Sequence, residues 1–420
     1  MAPARVSSPP PLPGIGLPLV LPGLAMIAVC YGLARFSYGL FLPEFRDTFH
    51  LTPGLLGLTG AGSYVGYCLS VGVSGYLSPR WGPRAVVIVA GLVCTAGMCL
   101  VAAAPDGTVL AAAVLIAGAS AGFASPPMGD AVQRRVGQRR QGAANTWINS
   151  GTSIGVVVSG PVALLVGGSW RVAWLSFAAA ALAVTLWCIP ALPGRGTTPA
   201  PPARSRSAAP ERIRDWINPT TLPLLASSAA MGLVSSVYWT FSRDLVVSRG
   251  HMDTTLSMIF WMVIGIAGLA GGLAGRLIRA WGLTTALRCC LVGFGSSIAL
   301  LAAAPGNTAA AFLSAAAFGA FYILLTGIYL VWSVQVFEKR PSAGIALSFA
   351  VLSIGQAAGA PLTGSIADSF SVITAFTAAG ALSCLVSLIS PRAATPSPAS
   401  DQPSASLRSR PAEDRSARRE

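Results

Sequence analysis

One arginine stands where a charge is costly. Arg35 lies in the run YGLARFSYGLFLPEF (31–45), inside a stretch from Leu17 to Pro43 that carries no other charge. Counting back from Pro43 at about 1.5 Å per helical residue places Arg35 roughly 12 Å inside an apolar helix. An arginine at depth in a membrane costs about 2.5–3.5 kcal/mol, and such groups usually serve a function. We therefore expect Arg35 to contact an anionic or strongly polar group of a solute.

A second interpretation of Arg35 stays open at this stage. Its long side chain could extend toward the nearby carboxylates of Glu44 or Asp47 and reach the membrane surface. Against this interpretation, the corresponding stretch of an internal repeat described below, Met231 to Trp239, carries no charge. The fold itself therefore does not require a charge at this place.

Aromatic and amide side chains inside other predicted helices could line the same central space. Each of them also fits ordinary packing or a position in an interfacial aromatic belt. The candidates are Tyr38, Tyr64, Tyr67, Asn149, Tyr238, Trp239, Tyr322 and Gln356.

The elements that must position these residues are membrane helices. Of the 420 residues, 53% are hydrophobic and only 10% are charged, whereas soluble domains are typically about a quarter charged. Period-2 alternation is absent, and apolar segments long enough for a helical span recur along the chain. We expect an all-α membrane protein with twelve transmembrane helices. The predicted segments are 17–42, 54–78, 85–104, 108–130, 142–166, 170–190, 220–242, 255–275, 284–303, 308–334, 343–366 and 370–390.

The distribution of positive charge predicts the topology. With twelve helices both termini lie on one side, and that side holds 23 of the 28 lysine and arginine residues. The positive-inside rule then predicts that both termini are cytoplasmic, in the cell (inner) membrane. The net charge of +14 is explained by topology, so we expect no nucleic-acid partner. The eight cysteines lie in apolar segments without C-x-x-C spacing, and we expect no disulfide, metal or cofactor.

The two halves of the chain repeat each other at an offset of 200 residues. VAAAPDGT at 101–108 corresponds to LAAAPGNT at 301–308, and Trp81 and Pro161 correspond to Trp281 and Pro361. This pattern indicates six duplicated helices in parallel, an architecture of transporters. The predicted boundaries are a disordered cytoplasmic tail at 1–13, six-helix halves at 14–192 and 217–390, a Pro- and Ser-rich cytoplasmic linker at 193–216, and a second disordered tail at 391–420.

A motif after the second helix resembles a known family. GYLSPRWGPR at 75–84 is similar to the signature G-x-x-x-D-[RK]-x-G-[RK]-[RK] of the major facilitator superfamily, with Pro79 in place of its aspartate, and GRLIRAWGLT at 275–284 is a degenerate copy. The resemblance implies a gating latch between the halves. The matching residues are Gly75, Arg80, Gly82 and Arg84, with Asp130 at the end of the fourth helix as the acidic partner of Arg80 or Arg84.

The sequence predicts a secondary transporter of a small organic solute that works by alternating access. It contains no Walker motif, nucleophile–base pair or metal constellation, so we expect no enzyme. No carboxylate lies deep in a predicted helix, and GASAG at 118–122 lacks the charge of the R-x-x-Q-G motif of drug exporters. An anionic solute paired with Arg35 is the first hypothesis; multidrug efflux and a non-transporting receptor or scaffold are the alternatives. The expected partners are the solute, the lipid bilayer and a coupling ion, and we expect a monomer.

Overall fold

The computed structural model describes residues 16–194, 216–338, 340–389 and 391 of the chain. These residues form twelve helices and no strand, as predicted. The predicted linker and both predicted tails lie outside the described residues except at their edges, so the domain boundaries stay a prediction. The helices are α1 (Leu17–Leu40, continued by Leu42–Phe49), α2 (Pro53–Trp81), α3 (Pro83–Ala103), α4 (Gly107–Arg135), α5 (Gln138–Leu165), α6 (Trp170–Ala191), α7 (Leu222–Ser248), α8 (Thr254–Gly268, Leu269–Leu273 and Ala274–Trp281), α9 (Leu283–Ala303), α10 (Thr308–Val336), α11 (Pro341–Ser369) and α12 (Val372–Val386).

Hydropathy and burial agree that these helices cross a membrane. In the described residues, nine helical stretches are long and apolar enough to span a bilayer, and one of them, Thr254–Ala303, holds both α8 and α9. α2 is less apolar because serines occupy part of its buried side. Ser63 and Ser70 are buried, whereas Leu58 and Leu69, on the outer side, are 61% and 64% exposed. Apolar side chains on an outer surface are solvated by lipid tails, which offer no penalty for their exposure. The chain is a multi-pass membrane protein.

The two halves share one geometry. α3 and α9 each have 21 residues, and α4 and α10 each have 29. Gly82 and Gly282 end α2 and α8 with nearly the same backbone angles, φ 82° and 78° with ψ 160° in both. A positive φ of this kind is accessible to glycine at little cost, which explains why both copies keep it. The structure thus confirms two pseudo-symmetric six-helix halves.

α2 and α11 pack tightly at one side of the membrane and separate at the other. We name the side where α1 begins the terminal face and the opposite side, with the α1–α2 loop, the distal face. An added Cβ on Gly57, near the distal face, would come within 2.3 Å of the Ala360 carbonyl oxygen of α11. Gly75 lies on the same side of α2, because 18 residues make about five turns. A Cβ on Gly75 would meet nothing within 4 Å.

α5 and α8 diverge in the same direction. A Cβ on Gly265 of α8 would come within 2.8 Å of the Ser153 carbonyl oxygen of α5. Gly272 lies seven residues closer to the terminal face, about two turns away, and a Cβ there would meet nothing within 4 Å. Since both interfaces between the halves behave alike, the structure is closed at the distal face and open at the terminal face.

Ion pairs between α1 and α7 close the distal face. Arg243 of α7 binds both carboxylate oxygens of Glu44, at 2.9 and 2.7 Å, and also donates to the Leu40 carbonyl oxygen. Asp244, the next residue, pairs with Arg46. We call these four side chains, Glu44, Arg46, Arg243 and Asp244, the distal latch.

A polar contact between α2 and α11 supports the distal latch. The backbone N–H of Gly54, at the start of α2, donates to Asp368 Oδ2 near the end of α11, at 2.9 Å. A carboxylate at a helix N-terminus is stabilised by the unpaired N–H groups and the helix dipole. The distal face is therefore joined by polar contacts at two separate pairs of helices.

The position of Arg243 corrects the sequence analysis. The predicted segment 220–242 left Arg243 in a loop and made Arg35 the sole ionisable group well inside a helix. In the structure α7 continues to Ser248, and Arg243 is only 1% exposed. Hydropathy ends a segment at the first charges, but the carboxylate of Glu44 and the carbonyl of Leu40 compensate the guanidinium, so the helix continues through them.

The glycine packing gives a first prediction. Gly57→Ala should weaken closure of the distal face, because overpacking a tight contact typically costs about 1–3 kcal/mol. Gly72→Ala is the matched control, since Gly72 belongs to the same helix and a Cβ there would meet nothing within 4 Å. Hydrogen exchange followed by mass spectrometry should show faster exchange in the distal ends of α2 and α11 for the first variant alone. Equal exchange in the two variants would contradict the proposed closure.

The distal latch gives a second prediction. Arg243→Gln leaves Glu44 without its counter-charge, and breaking a buried pair in this way typically costs about 3–5 kcal/mol. We expect the population to shift to a state open at the distal face. Pulsed electron–electron distance measurements between spin labels on the α1–α2 and α7–α8 loops should report a longer separation. Arg249→Gln, the exposed control next to the end of α7, should leave that distance unchanged.

Candidate functional site

Arg35 lies in an irregular part of α1. Residues Ala28–Phe36 form a π-helical segment between two α-helical stretches. Such segments are rare and are frequent at functional sites, because they widen a turn and redirect its side chains. The Arg35 side chain is directed between the halves and is only 5% exposed. A charged group is thus held inside the protein by a locally irregular backbone.

Arg35 binds α11 of the opposite half. Its Nη2 donates to Gln356 Oε1 at 2.8 Å and to Ser353 Oγ at 3.2 Å. The alternative of a contact with Glu44 or Asp47 at the distal face is wrong in this conformation. Glu44 is engaged by Arg243, and Asp47 pairs with the neighbouring Arg46. Arg35 is therefore directed across the interface between the halves.

Aromatic rings surround the guanidinium. Its central carbon lies 4.2 Å from the ring centre of Tyr67, 5.1 Å from that of Tyr64, 5.5 Å from that of Phe36 and 5.6 Å from that of Tyr31. Cation–π contacts of this kind contribute about 0.5–2 kcal/mol each, with the larger values for desolvated pairs. Tyr67 lies near the middle of α2, which places the cluster close to the centre of the membrane.

Gln356 extends the cluster into α7 and α10. Its Nε2 lies 3.3 Å from Ser235 Oγ and 3.4 Å from the Tyr322 hydroxyl, and donates to both. The Tyr322 ring meets Trp239 edge to face at 5.3 Å, and Trp239 stacks on Phe36 at 4.3 Å. The contacts thus run from Arg35 through α11, α10 and α7 and back to the residue beside Arg35. We name this set the central cluster: Arg35, Phe36, Tyr64, Tyr67, Ser235, Trp239, Tyr322, Ser353 and Gln356.

The charge of Arg35 has no ionic partner in the part of the chain that the structure describes. No carboxylate of those residues lies within 4 Å of the guanidinium, and its buried Nε has no hydrogen-bond acceptor. Neutral oxygens and ring faces compensate the charge only in part, since hydrogen-bonded ion pairs are the stronger interaction. The site therefore retains capacity for an acceptor, above all an anionic one.

Five predicted binding residues besides Arg35 lie in this cluster and three do not. Tyr64, Tyr67, Trp239, Tyr322 and Gln356 contact Arg35 or its partners, as described above. Tyr38 donates to the Leu56 carbonyl oxygen at 2.8 Å, and Tyr238 bonds to Ser314 at 2.8 Å inside the C-terminal half. Asn149 is exposed and donates to the Asn145 carbonyl oxygen of its own helix. Tyr38 and Tyr238 therefore stabilise helix packing, and the Asn149 amide is satisfied within its own helix.

The predicted gating residues lie at the terminal face without the expected ion pair. Asp130 Oδ1 accepts from Arg134 at 2.9 Å, and its Oδ2 accepts a longer bond from Ser78 at 3.4 Å. Arg80 instead lies 3.4 Å from the ring centre of Tyr76, and Arg84 donates to the Leu192 carbonyl oxygen at 2.8 Å. The expected pairing of Asp130 with Arg80 or Arg84 is therefore absent in this conformation. Arg134, one turn away on the same helix, satisfies the carboxylate locally.

Sequence reasoning missed several partners of Arg35. Phe36 and Tyr31 flank it along α1, Ser353 of α11 accepts a hydrogen bond from it, and Ser235 of α7 accepts one from its partner Gln356. Ser235 stands at the repeat position of Arg35, since the two differ by the repeat offset of 200. Projecting the repeat onto Arg35 would have found this serine, whereas Ser353 carries no signal in the sequence that separates it from other serines in membrane helices.

Comparisons with known proteins agree with this architecture. The chain is similar in structure to the nucleoside transporter NupG, whose crystal structure was solved with a point mutant, and the TM-score is 0.75. The match covers 89% of this chain and 98% of that one, at 12% sequence identity, so it shows the fold alone. A comparison with curated protein sequences gave no match.

A family model matches most of the chain. The model described as Major Facilitator Superfamily covers residues 24–343, from within α1 to the start of α11. The duplicated halves, the glycine-packed interfaces and the central cluster between the halves agree with that match. The chain is a member of the Major Facilitator Superfamily and a membrane secondary transporter.

Proposed function

We propose that the protein transports a small organic anion, with Arg35 as the counter-charge of the solute. The observation that carries this proposal is the buried guanidinium without a carboxylate within 4 Å in the described residues. Ionisable groups inside a membrane are expensive, and in transporters they mark the path of the substrate. An anionic solute would supply the interaction that the protein itself leaves incomplete.

The hydrogen bonds of Arg35 support exchange between protein and solute. Ser353 and Gln356 are neutral acceptors, whereas a carboxylate can accept two parallel hydrogen bonds from a guanidinium and also neutralises its charge. An incoming carboxylate would therefore displace one or both of them. Since both residues belong to α11 and Arg35 to α1, displacement would also loosen a contact between the halves. Solute binding and movement of the halves would then be coupled at one side chain.

The orientation in the membrane follows from charge. Positively charged residues are concentrated at the terminal face, which we assign to the cytoplasm of an inner membrane on the positive-inside rule. The structure then represents an inward-facing conformation, with the distal latch closed toward the outside. Both the coupling ion and the monomeric state expected from the sequence remain parts of this proposal.

Two other functions compete with transport of an anion. Aromatic side chains such as Tyr64, Trp239 and Tyr322 would suit the efflux of hydrophobic drugs. The positive charge of Arg35, which has no ionic partner in the described residues, would repel a cationic drug. The charge preference of the solute therefore distinguishes drug efflux from transport of an anion. A non-transporting receptor or scaffold would show no exchange of solute across a membrane. Counterflow of a radiolabelled solute in proteoliposomes excludes that last alternative if solute accumulates.

The charge and the shape of Arg35 should both matter for transport. Arg35→Ala should abolish binding of the transported anion, because its only counter-charge is removed. Arg35→Lys keeps the charge but loses the planar fork, so binding should weaken by about tenfold, or 1.4 kcal/mol. Binding can be measured by scintillation proximity with a radiolabelled carboxylate found in a thermal-shift screen of metabolites.

The control for this test is Arg171→Lys. Arg171 lies near the distal face, stacks on Trp170 and donates to the carbonyl oxygens of Ala102 and Ala104 within its own half. This variant should bind and transport the anion as the wild type does. Normal transport by Arg35→Ala would refute the proposal, as would a library in which only neutral or cationic compounds bind.

The gating residues should control the opposite conformation. The family resemblance assigns Asp130 and Arg80 to a latch of the terminal face, which is open in this structure. Asp130→Asn should therefore destabilise the conformation that is closed at the terminal face. It should favour the conformation of this structure, which is open at that face. Cross-linking between the ends of α4 and α11 at that face should decrease relative to wild type. Unchanged cross-linking would show that Asp130 takes no part in closure and only pairs with Arg134.

A further inference from the structure

The arrangement of rings around Arg35 restricts the shape of the solute. We infer that the transported anion is a flat, conjugated carboxylate, of which a benzoate-like aromatic acid is the simplest representative. This inference rests on the proposed function and adds a substrate class to it. It depends on the position of the aromatic rings, whereas the proposed function depends on the charge alone.

The guanidinium of Arg35 determines where a bound carboxylate lies. The guanidinium lies over the ring of Tyr67, with its central carbon 4.2 Å from the ring centre, close to ordinary stacking distance. A carboxylate that binds arginine through two parallel hydrogen bonds lies in the plane of the guanidinium. The bound carboxylate would therefore lie beside the Tyr67 ring, the closest of the four rings around Arg35.

The group attached to the carboxylate determines whether the whole anion is flat. In an aromatic acid the ring is conjugated with the carboxylate and nearly coplanar with it, so the whole anion is flat. A saturated ring is thicker and is not held coplanar with its carboxylate. The rings of Tyr64 and Phe36, at 5.1 and 5.5 Å from the guanidinium carbon, restrict the space around it. A flat anion fits beside these rings with less rearrangement.

A network of aromatic contacts extends beyond Arg35. Trp239 stacks on Phe36 at 4.3 Å and meets Tyr322 and Phe318 edge to face at 5.3 and 5.5 Å. Aromatic pairs gain stability beyond the area that they bury, through the complementary charges of ring faces and edges. Each such contact favours an aromatic over a saturated ring by about twofold to tenfold. An aromatic body can therefore join an existing network that would gain little from an aliphatic chain.

The polar atoms of the cluster set the number of charges on the solute. Arg35 is the single cation of the central cluster, and its Nε is a buried donor without an acceptor. The remaining polar partners, Ser235, Ser353, Tyr322 and Gln356, are neutral. One carboxylate matches this set, whereas a second would enter the aromatic region without a counter-charge. A monocarboxylate is thus favoured over a dicarboxylate.

Four probes of similar size test this inference on the full-length protein. Benzoate, cyclohexanecarboxylate, benzamide and cyclohexanecarboxamide vary charge and flatness independently. Each is titrated against purified protein in lipid nanodiscs, with binding followed by intrinsic tryptophan fluorescence and checked by isothermal titration calorimetry. Benzoate should bind at least fivefold more tightly than cyclohexanecarboxylate and more tightly than both amides. Benzoate should also bind more tightly than terephthalate, which adds a second carboxylate.

The outcomes separate the inference from the proposed function. Equal binding of benzoate and cyclohexanecarboxylate, both above the amides, overturns the flat-anion inference and leaves the anion proposal standing. Equal binding of acids and amides overturns the proposed function itself. Absence of binding by both carboxylates overturns the flat-anion inference and leaves the proposed function to be decided by the Arg35 variants.

A variant pair tests the role of Tyr67. Tyr67→Leu should remove the preference for benzoate over cyclohexanecarboxylate, while Tyr67→Phe should retain it because the ring remains. Tyr76→Leu is the control, since Tyr76 is an exposed ring of the same helix that stacks with Arg80. A preference that survives in Tyr67→Leu overturns the stacking argument. The four-probe series on wild type decides the inference even if Tyr67→Leu fails to fold.

Discussion

The structure depends on how one buried guanidinium is compensated. Arg35 costs about 2.5–3.5 kcal/mol at depth in a membrane, and its compensation comes from Ser353, Gln356 and the aromatic faces around it. These groups belong to both halves of the protein. Any motion that separates α1 from α11 removes the hydrogen bonds of Arg35 to Ser353 and Gln356. Among the described residues, this charge has no ionic partner to replace them. Movement of the halves is therefore tied to whatever replaces those bonds.

The two deeply buried arginines are compensated in different ways. Arg243, near the distal face, pairs with the carboxylate of Glu44. At the centre, Arg35 meets only neutral oxygens and rings. Ion pairs hold a conformation but leave no capacity for a ligand, whereas neutral partners hold it weakly and can be exchanged. A buried arginine with only neutral partners is therefore better suited to bind a solute than one held in an ion pair.

Sequence patterns predicted the fold well and the site in part. Hydropathy and the repeat gave the twelve helices and their two halves, because lipid and duplication both leave strong, regular signals. Arg243 was misplaced because hydropathy treats any charge as the end of a helix, although Glu44 and the Leu40 carbonyl allow α7 to continue. The partners of Arg35 across the interface depend on how helices rotate against each other. A single serine such as Ser353 carries no signal of that rotation.

The position of the central cluster along α2 explains how it can serve both conformations. Gly57, in tight contact, and Gly75, in open space, lie about 27 Å apart at 1.5 Å per residue. Tyr67 lies between them, where contact between the halves changes to separation. When two rigid bodies rock about such a region, displacements are large at both faces and small at the centre. Hydrogen bonds and ring stacking act over only a few ångströms, so a solute bound as we propose would keep its contacts with Arg35 and Tyr67 while the two faces open in turn.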